Sequence, residues 1–308
     1  MLQIYIAFFK IFIYIALGLI LNKARVIDRR TEITMSNVLL MAVLPFTILG
    51  ASQVTFSYEV LRGIFAVAGF AAAYCIIGLV TVYLFIRRSK ITSDEKRIVV
   101  ILTVFSNTSF VGMPIMQELY GEQGLLLASV FNLISNLFFY SAGAVIISKK
   151  HFRVVDLISN PVSLVSILSI ILFAIPFRMP AFIQETISLV GDMNVPLSMM
   201  IIGSMLSTMS PKKLFMDIKS HLVVLVKMVV MPAIALGVCL IARRFIEALP
   251  VTMITMVLMC ALPPNSTAVI FAEQYDTEPE FCTRTVALSM IFMLFSLLGW
   301  CFVTGKLF

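Results

Sequence analysis

The residues best placed to do chemistry in this chain form two short polar patches inside otherwise apolar segments. The first reads Phe105-Ser-Asn-Thr-Ser-Phe-Val-Gly-Met-Pro114, the second Ala261-Leu-Pro-Pro-Asn-Ser-Thr-Ala-Val-Ile270. Each sets an asparagine and two hydroxyl residues beside Gly or Pro, in a stretch hydrophobic enough to span a bilayer. Amides and helix breakers are costly in hydrocarbon unless they line a cavity or pack inside protein. Gly112 and Pro114 weaken the first helix, so its freed carbonyls and amides need partners. Asn107, Thr108 and Ser109 can supply some of these, and a bound ligand or ion the rest. In the second patch Pro263 and Pro264 delete two donors and constrain Leu262, with Asn265 and Ser266 following at the start of a second half-helix. A half-helix N-terminus offers positive dipole to an anion, and exposed carbonyls suit a cation. Self-satisfied kinks explain one such patch as readily as a ligand site does. Two at equivalent positions favour a site where the segments cross.

Other candidates are sparser. Asn132 and Asn136 lie one helical turn apart with Ser129 on the same stripe, as a polar wall or as interhelical amide bonds. Lys10 and Lys227 are the basic residues well inside apolar runs. Lys10 lies about 9 Å along its helix, within reach of the nearer surface by snorkelling. Lys227, followed by Pro232, can face a carboxylate ligand or reach towards the nearer end of its helix. Glu118 and Glu273 stand at segment ends as possible charge partners or as solvated helix ends. The sequence holds no HExxH, GxSxG or P-loop, and His151 and His221 are far apart, so no enzyme is expected. Cys75, Cys239, Cys260, Cys282 and Cys301 show no metal-type spacing and read as small packing residues.

These patches must be held by a membrane-embedded helical bundle. Hydrophobic residues make up 60% of the 308, charged residues 13%, and the mean hydropathy is +1.04, which excludes an ordinary soluble domain. Ten candidate spans run at roughly 4–21, 33–51, 60–86, 98–119, 124–148, 161–177, 187–207, 220–242, 250–273 and 283–304. With the N-terminus outside, sixteen of the 23 basic residues fall in cytoplasmic loops, among them Lys23, Arg25, Arg29 and Arg30 after the first span, and five fall outside. This topology places both termini outside and the loop 149–160 in the cytoplasm, and it accounts for the +7 charge without nucleic acid. No cleaved signal peptide is expected.

The chain divides at that loop into 1–148 and 161–308, five spans each, so a repeated fold must insert its second copy upside down. Leu44-Pro45 echoes Val195-Pro196, Arg87-Arg88 echoes Arg243-Arg244, Glu118-Leu-Tyr120 echoes Glu273-Gln-Tyr275, and Asn107-Thr-Ser109 echoes Asn265-Ser-Thr267. Four echoes across equivalent spans make an inverted repeat the expectation for this single 1–308 membrane domain.

At these residues the chain resembles the auxin efflux carrier family of plant PIN-type carriers and bacterial permeases. Asn107-Thr-Ser-Phe-Val-Gly-Met-Pro-Ile115 with Leu119-Tyr-Gly121, and Ala261-Leu-Pro-Pro-Asn265 with Val269-Ile-Phe-Ala-Glu-Gln-Tyr275, carry the likeness. Leu44-Pro45, Pro196-Leu197 with Gly203, and Lys227 with Pro232 add weaker matches. The resemblance implies ten helices in two inverted five-helix repeats. Helices 1, 2, 6 and 7 would be a scaffold that commonly dimerises, and 3–5 with 8–10 a transport domain in which 4 and 9 cross. It also implies an organic anion, a mono- or dicarboxylate, bound at Asn107, Pro114, Pro263, Pro264 and Asn265 and carried by an elevator-like movement through a bacterial inner membrane. No cofactor is implied, with Na+ or H+ the candidate coupling ion. Sodium coupling, as in the related bile acid:sodium symporter fold, and a non-transporting sensor are the alternatives. The chain departs from plant members in its short central loop and in lacking an acidic residue between Leu61 and Ile86.

Overall fold

The computed structural model describes residues 2–148, 161–175, 179–207, 217–244 and 249–308. The basic loop 149–160, with His151, and Arg178, Lys212 and Lys213 of the topology count lie outside these residues. The described part is helical throughout: α1 (Leu2–Lys23), α2 (Arg29–Ala51), α3 (Tyr58–Ile86), α4 (Ser93–Val104), α5 (Thr108–Ile147), α6 (Pro161–Ala174), α7 (Ala181–Gly191), α8 (Asn194–Ser207), α9 (Ile218–Ala242), α10 (Pro250–Cys260), α11 (Thr267–Gln274) and α12 (Pro279–Leu307). Side-chain caps start several of them. Asp28, Ser57 and Asp217 cap α2, α3 and α9, and Thr92 with Glu95 forms a reciprocal capping box at α4.

Among the described residues seven helical stretches are long and apolar enough to cross a membrane, α7 and α8 counting together as one. The ten expected spans are therefore not all met as continuous helices. Span 4 is interrupted between α4 and α5, and α6 and α10 are short apolar helices. α5 looks continuous for 40 residues, yet Gly121 sits at φ 60° and ψ −152°, open to glycine and strained for other residues. Thr108 and Asn132 are hydrogen-bonded, whereas a straight helix would hold them about 36 Å apart. α5 is thus two arms folded back on each other about Gly121.

Three helices share one local device. A five-residue π-helical turn precedes each X-Pro pair: Leu39–Val43 before Pro45, Thr108–Gly112 before Pro114, and Val226–Val230 before Pro232. The wide turn relieves the clash between the proline ring and the carbonyl four residues back. That carbonyl still lacks its usual donor. For Pro232 it is Met228 O, which accepts from Trp300 Nε1 at 2.8 Å and Ser296 Oγ at 3.1 Å on α12. Membrane helices tolerate proline when neighbours satisfy the freed group in this way.

Two groups of helices meet around α5, with a further contact between α8 and α12. α1 lies on α8, and the end of α2 lies on α6 and α7. Gly18 and Gly203 bring α1 and α8 into backbone contact, because a Cβ on Gly18 would overlap Met200 O and one on Gly203 would overlap Ile15 O. Small residues at such crossings are the main route to close packing where lipid replaces water. The second group gathers α3, α4, α9, α10, α11 and α12 around both arms of α5. All five cysteines are free and buried in this packing.

Candidate functional site

The two polar patches meet in space. Between α4 and α5 the chain is extended at Phe105, and between α10 and α11 it runs non-helically through Leu262–Asn265. There the segments pair as a single antiparallel bridge, Ser106 with Pro264. Asn107 N donates to Pro263 O at 2.8 Å and Asn265 N to Phe105 O at 3.0 Å. Pro263 and Pro264 have no N–H to donate, so both bridging donors are the backbone amides of Asn107 and Asn265, and the acceptors are the Pro263 and Phe105 carbonyls. Two broken helices thereby satisfy each other's backbone in a region where water is scarce.

Asn107 caps the half-helix that follows it, and Asn265, one residue before the Ser266 N-cap, bonds the first amide of the other. Asn107 Oδ1 accepts from Phe110 N at 3.3 Å, and Asn265 Oδ1 from Thr267 N at 3.0 Å. Across the bridge Asn107 Nδ2 donates to Ser266 Oγ at 3.3 Å. Thr108 and Ser109 donate to Asn132 Oδ1 at 2.5 and 2.9 Å from the return arm of α5. Asn132 is buried, and its Nδ2 finds no hydrogen-bond partner among the described residues. Gly112 and Pro114 are buried within the first half-helix, where Gly112 faces Leu262 and Met259. Pro263 and Pro264 are buried within the bridge.

A cavity of about 440 Å³ lies over the starts of the two half-helices. Asn107, Thr108, Ser109, Asn136, Asn265 and Thr267 form its polar wall. Leu40 and Met41 of α2, with Phe110, Tyr140 and Phe271, form the apolar wall, and Pro161, Gln274 and Tyr275 complete the lining. Its size suits a small organic molecule. A second hollow of about 470 Å³ between α1 and α12 is lined by Ile6, Phe8, Phe9, Phe12 and Leu298 and has no group to orient a polar ligand. Behind the first break, Phe105 packs edge-on against Phe139 at 5.3 Å, and Phe139 stacks on Phe271 at 5.5 Å, tying α4, α5 and α11 together.

The charged candidates divide. Lys227 reaches the crossing, where its Nζ donates to Ser106 Oγ at 2.7 Å and Val104 O at 3.2 Å. Glu118 instead pairs with Lys10 Nζ at 2.8 Å, and Glu273 is exposed and outside the cavity wall. Sequence reasoning missed Ser106, Tyr140 and the apolar wall. Phe271 and Tyr275, one turn apart beside the second patch, were a legible sign of an aromatic face.

A family model described as membrane transport protein matches the chain twice, over residues 3–155 and again over 150–301. The chain belongs to that family, the auxin efflux carriers. No curated protein matches it. Membership makes this a membrane transporter and not an enzyme, and its apolar helices make it multi-pass. The double match falls on the two halves read from the sequence, each containing one helix break.

Proposed function

We propose that this carrier binds a small organic anion, a mono- or dicarboxylate, in the cavity over the crossing and moves it across the membrane by an elevator-like displacement. The observation that carries the reading is the bridge Ser106–Pro264, which holds two half-helix starts, beside Asn107 and Asn265, under one cavity. Helix starts and amide donors favour negative charge, and Asn136 brings a further amide to the wall of the same cavity. In this reading ten spans form two inverted halves. α1, α2, α6, α7 and α8 make a scaffold that dimerises, and the remaining helices carry the site through a bacterial inner membrane with both termini outside.

In this reading the arrangement is an inward-facing state. Pro161 and Gln274 of the cavity lining lie towards the side that charge topology assigns to the cytoplasm. On the opposite side Lys10 holds Glu118, and Asn194 Nδ2 donates to Gln117 Oε1 at 2.9 Å, closing scaffold against carrier. Purified protein screened by thermal shift against mono- and dicarboxylates tests the site, because a ligand of the folded state raises its melting temperature. Asn107→Ala and Asn265→Ala should fold and lose that rise. A wild-type rise in both would remove the crossing as the site.

A further inference from the structure

The Lys227 ammonium is the feature that anion binding alone does not explain. It is fully buried, and among the described residues no carboxylate pairs with it. Buried Glu32, by contrast, has Arg29 at 2.6 Å. An ammonium taken out of water without compensation is strongly unfavourable, so its surroundings must supply negative potential. They do so with oxygen atoms: Ser106 Oγ at 2.7 Å, Val104 O at 3.2 Å and Tyr74 OH at 3.3 Å, with the Tyr74 ring 5.7 Å from Nζ. Val104 is the last residue of α4, so its carbonyl belongs to the negative end of that half-helix. Carbonyls at half-helix C-termini in broken membrane helices are the groups that hold coupling cations.

Resting on the anion site proposed above, we infer that Lys227 is a tethered cation occupying the position a mobile coupling ion would otherwise need. The two ends of the break then have opposite duties. The C-terminal end of α4 is permanently neutralised by Lys227, and the N-terminal end of α5 faces the anion. A carrier built this way binds its substrate without sodium. The inference also gives the π-helical turn Val226–Val230 a purpose, since it lies where Lys227 must project towards the crossing.

The first arm of the test uses cations alone, so it does not depend on knowing the substrate. Melting temperature is measured for the full-length wild type and for Lys227→Ala, in choline chloride and in matched sodium chloride or methylammonium chloride. Wild type should melt at the same temperature in all three. Lys227→Ala should melt lower in choline, and methylammonium should raise it by a saturable amount of about 2 °C or more. A saturable sodium-specific rise in wild type, or a variant indifferent to methylammonium, would overturn the inference. If Lys227→Ala does not fold, Lys227→Met replaces it: removal of a merely structural buried charge should leave carboxylate binding intact, and that result too would overturn the inference. Asn265→Ala, assayed in parallel, separates the two readings. It should keep the wild-type cation profile while losing the carboxylate response, and a retained carboxylate response sinks the anion site and leaves the cation result standing.

Discussion

The two helix breaks perform one structural task by different means. The first is held by side chains from its surroundings: Lys227 on Ser106, Asn132 on Thr108 and Ser109, and Ser266 on Asn107. Asn107 is only 3% exposed. The second is held by its own covalent chemistry, since Pro263 and Pro264 restrict the backbone, and its Asn265 is half-buried with, among the described residues, a single side-chain bond to Thr267 N. A break fixed by partners can be reshaped when they move. A break fixed by proline rings keeps its form and offers its amide to the cavity. The first is thus the adjustable half of the site and the second the rigid half.

The sharpest way to break this contrast is to truncate both asparagines. Asn107→Ala and Asn265→Ala should each abolish the carboxylate-dependent rise in melting temperature. Their costs to the unliganded fold should differ, at about 2 kcal/mol for Asn107 and about 0.5 kcal/mol for Asn265, because only the first loses a buried bond across the bridge as well as a cap. Equal costs in denaturant or thermal unfolding would dissolve the distinction. Asn132→Leu comes next. It leaves the Thr108 and Ser109 hydroxyls without their acceptor, and unfolding should register a loss of about 1–3 kcal/mol. Pro264→Ala should change global stability by less than about 1 kcal/mol, yet hydrogen exchange at Asn265 and Thr267 should accelerate while that at Asn107 does not.

The smallest effect concerns the far end of α4. Lys219 donates to Glu95 at 2.5 Å and holds that carboxyl below the usual glutamate range. Because the folded state binds the proton less readily, this pair stabilises the protein above the ordinary glutamate pKa and loses that contribution as pH falls through the lowered value. A melting-temperature profile in acid should show the decline, and Glu95→Gln should flatten it. α10 begins on Pro250 and has no corresponding carboxylate cap, so its start should not share this acid sensitivity.

The breaks were legible because Pro, Gly and Asn are conspicuous in apolar sequence, and hydropathy marked the segments around them. Their meeting was legible only through the repeated pattern, since Ser106 and Pro264 are 158 positions apart and nothing local specifies a bridge. The partner of Lys227 was hidden for a different reason. A lysine side chain spans several ångströms, and the direction it takes depends on a π-helical turn that proline hints at but does not specify. The cavity's apolar wall was equally hidden, because Leu40 and Met41 look like any lipid-facing pair until α2 is packed against α5. Continuous hydropathy also concealed the fold-back at Gly121, where one glycine's backbone angle separates two arms.

The bond from Trp300 to Met228 O has a practical consequence. Trp300 is the only tryptophan in the chain, and its indole is bonded to the residue immediately after Lys227. The protein therefore carries a single native fluorophore on the segment that supports the crossing. Its emission wavelength and quenching should report any rearrangement of that segment during substrate binding, with no label attached and no background from other indoles.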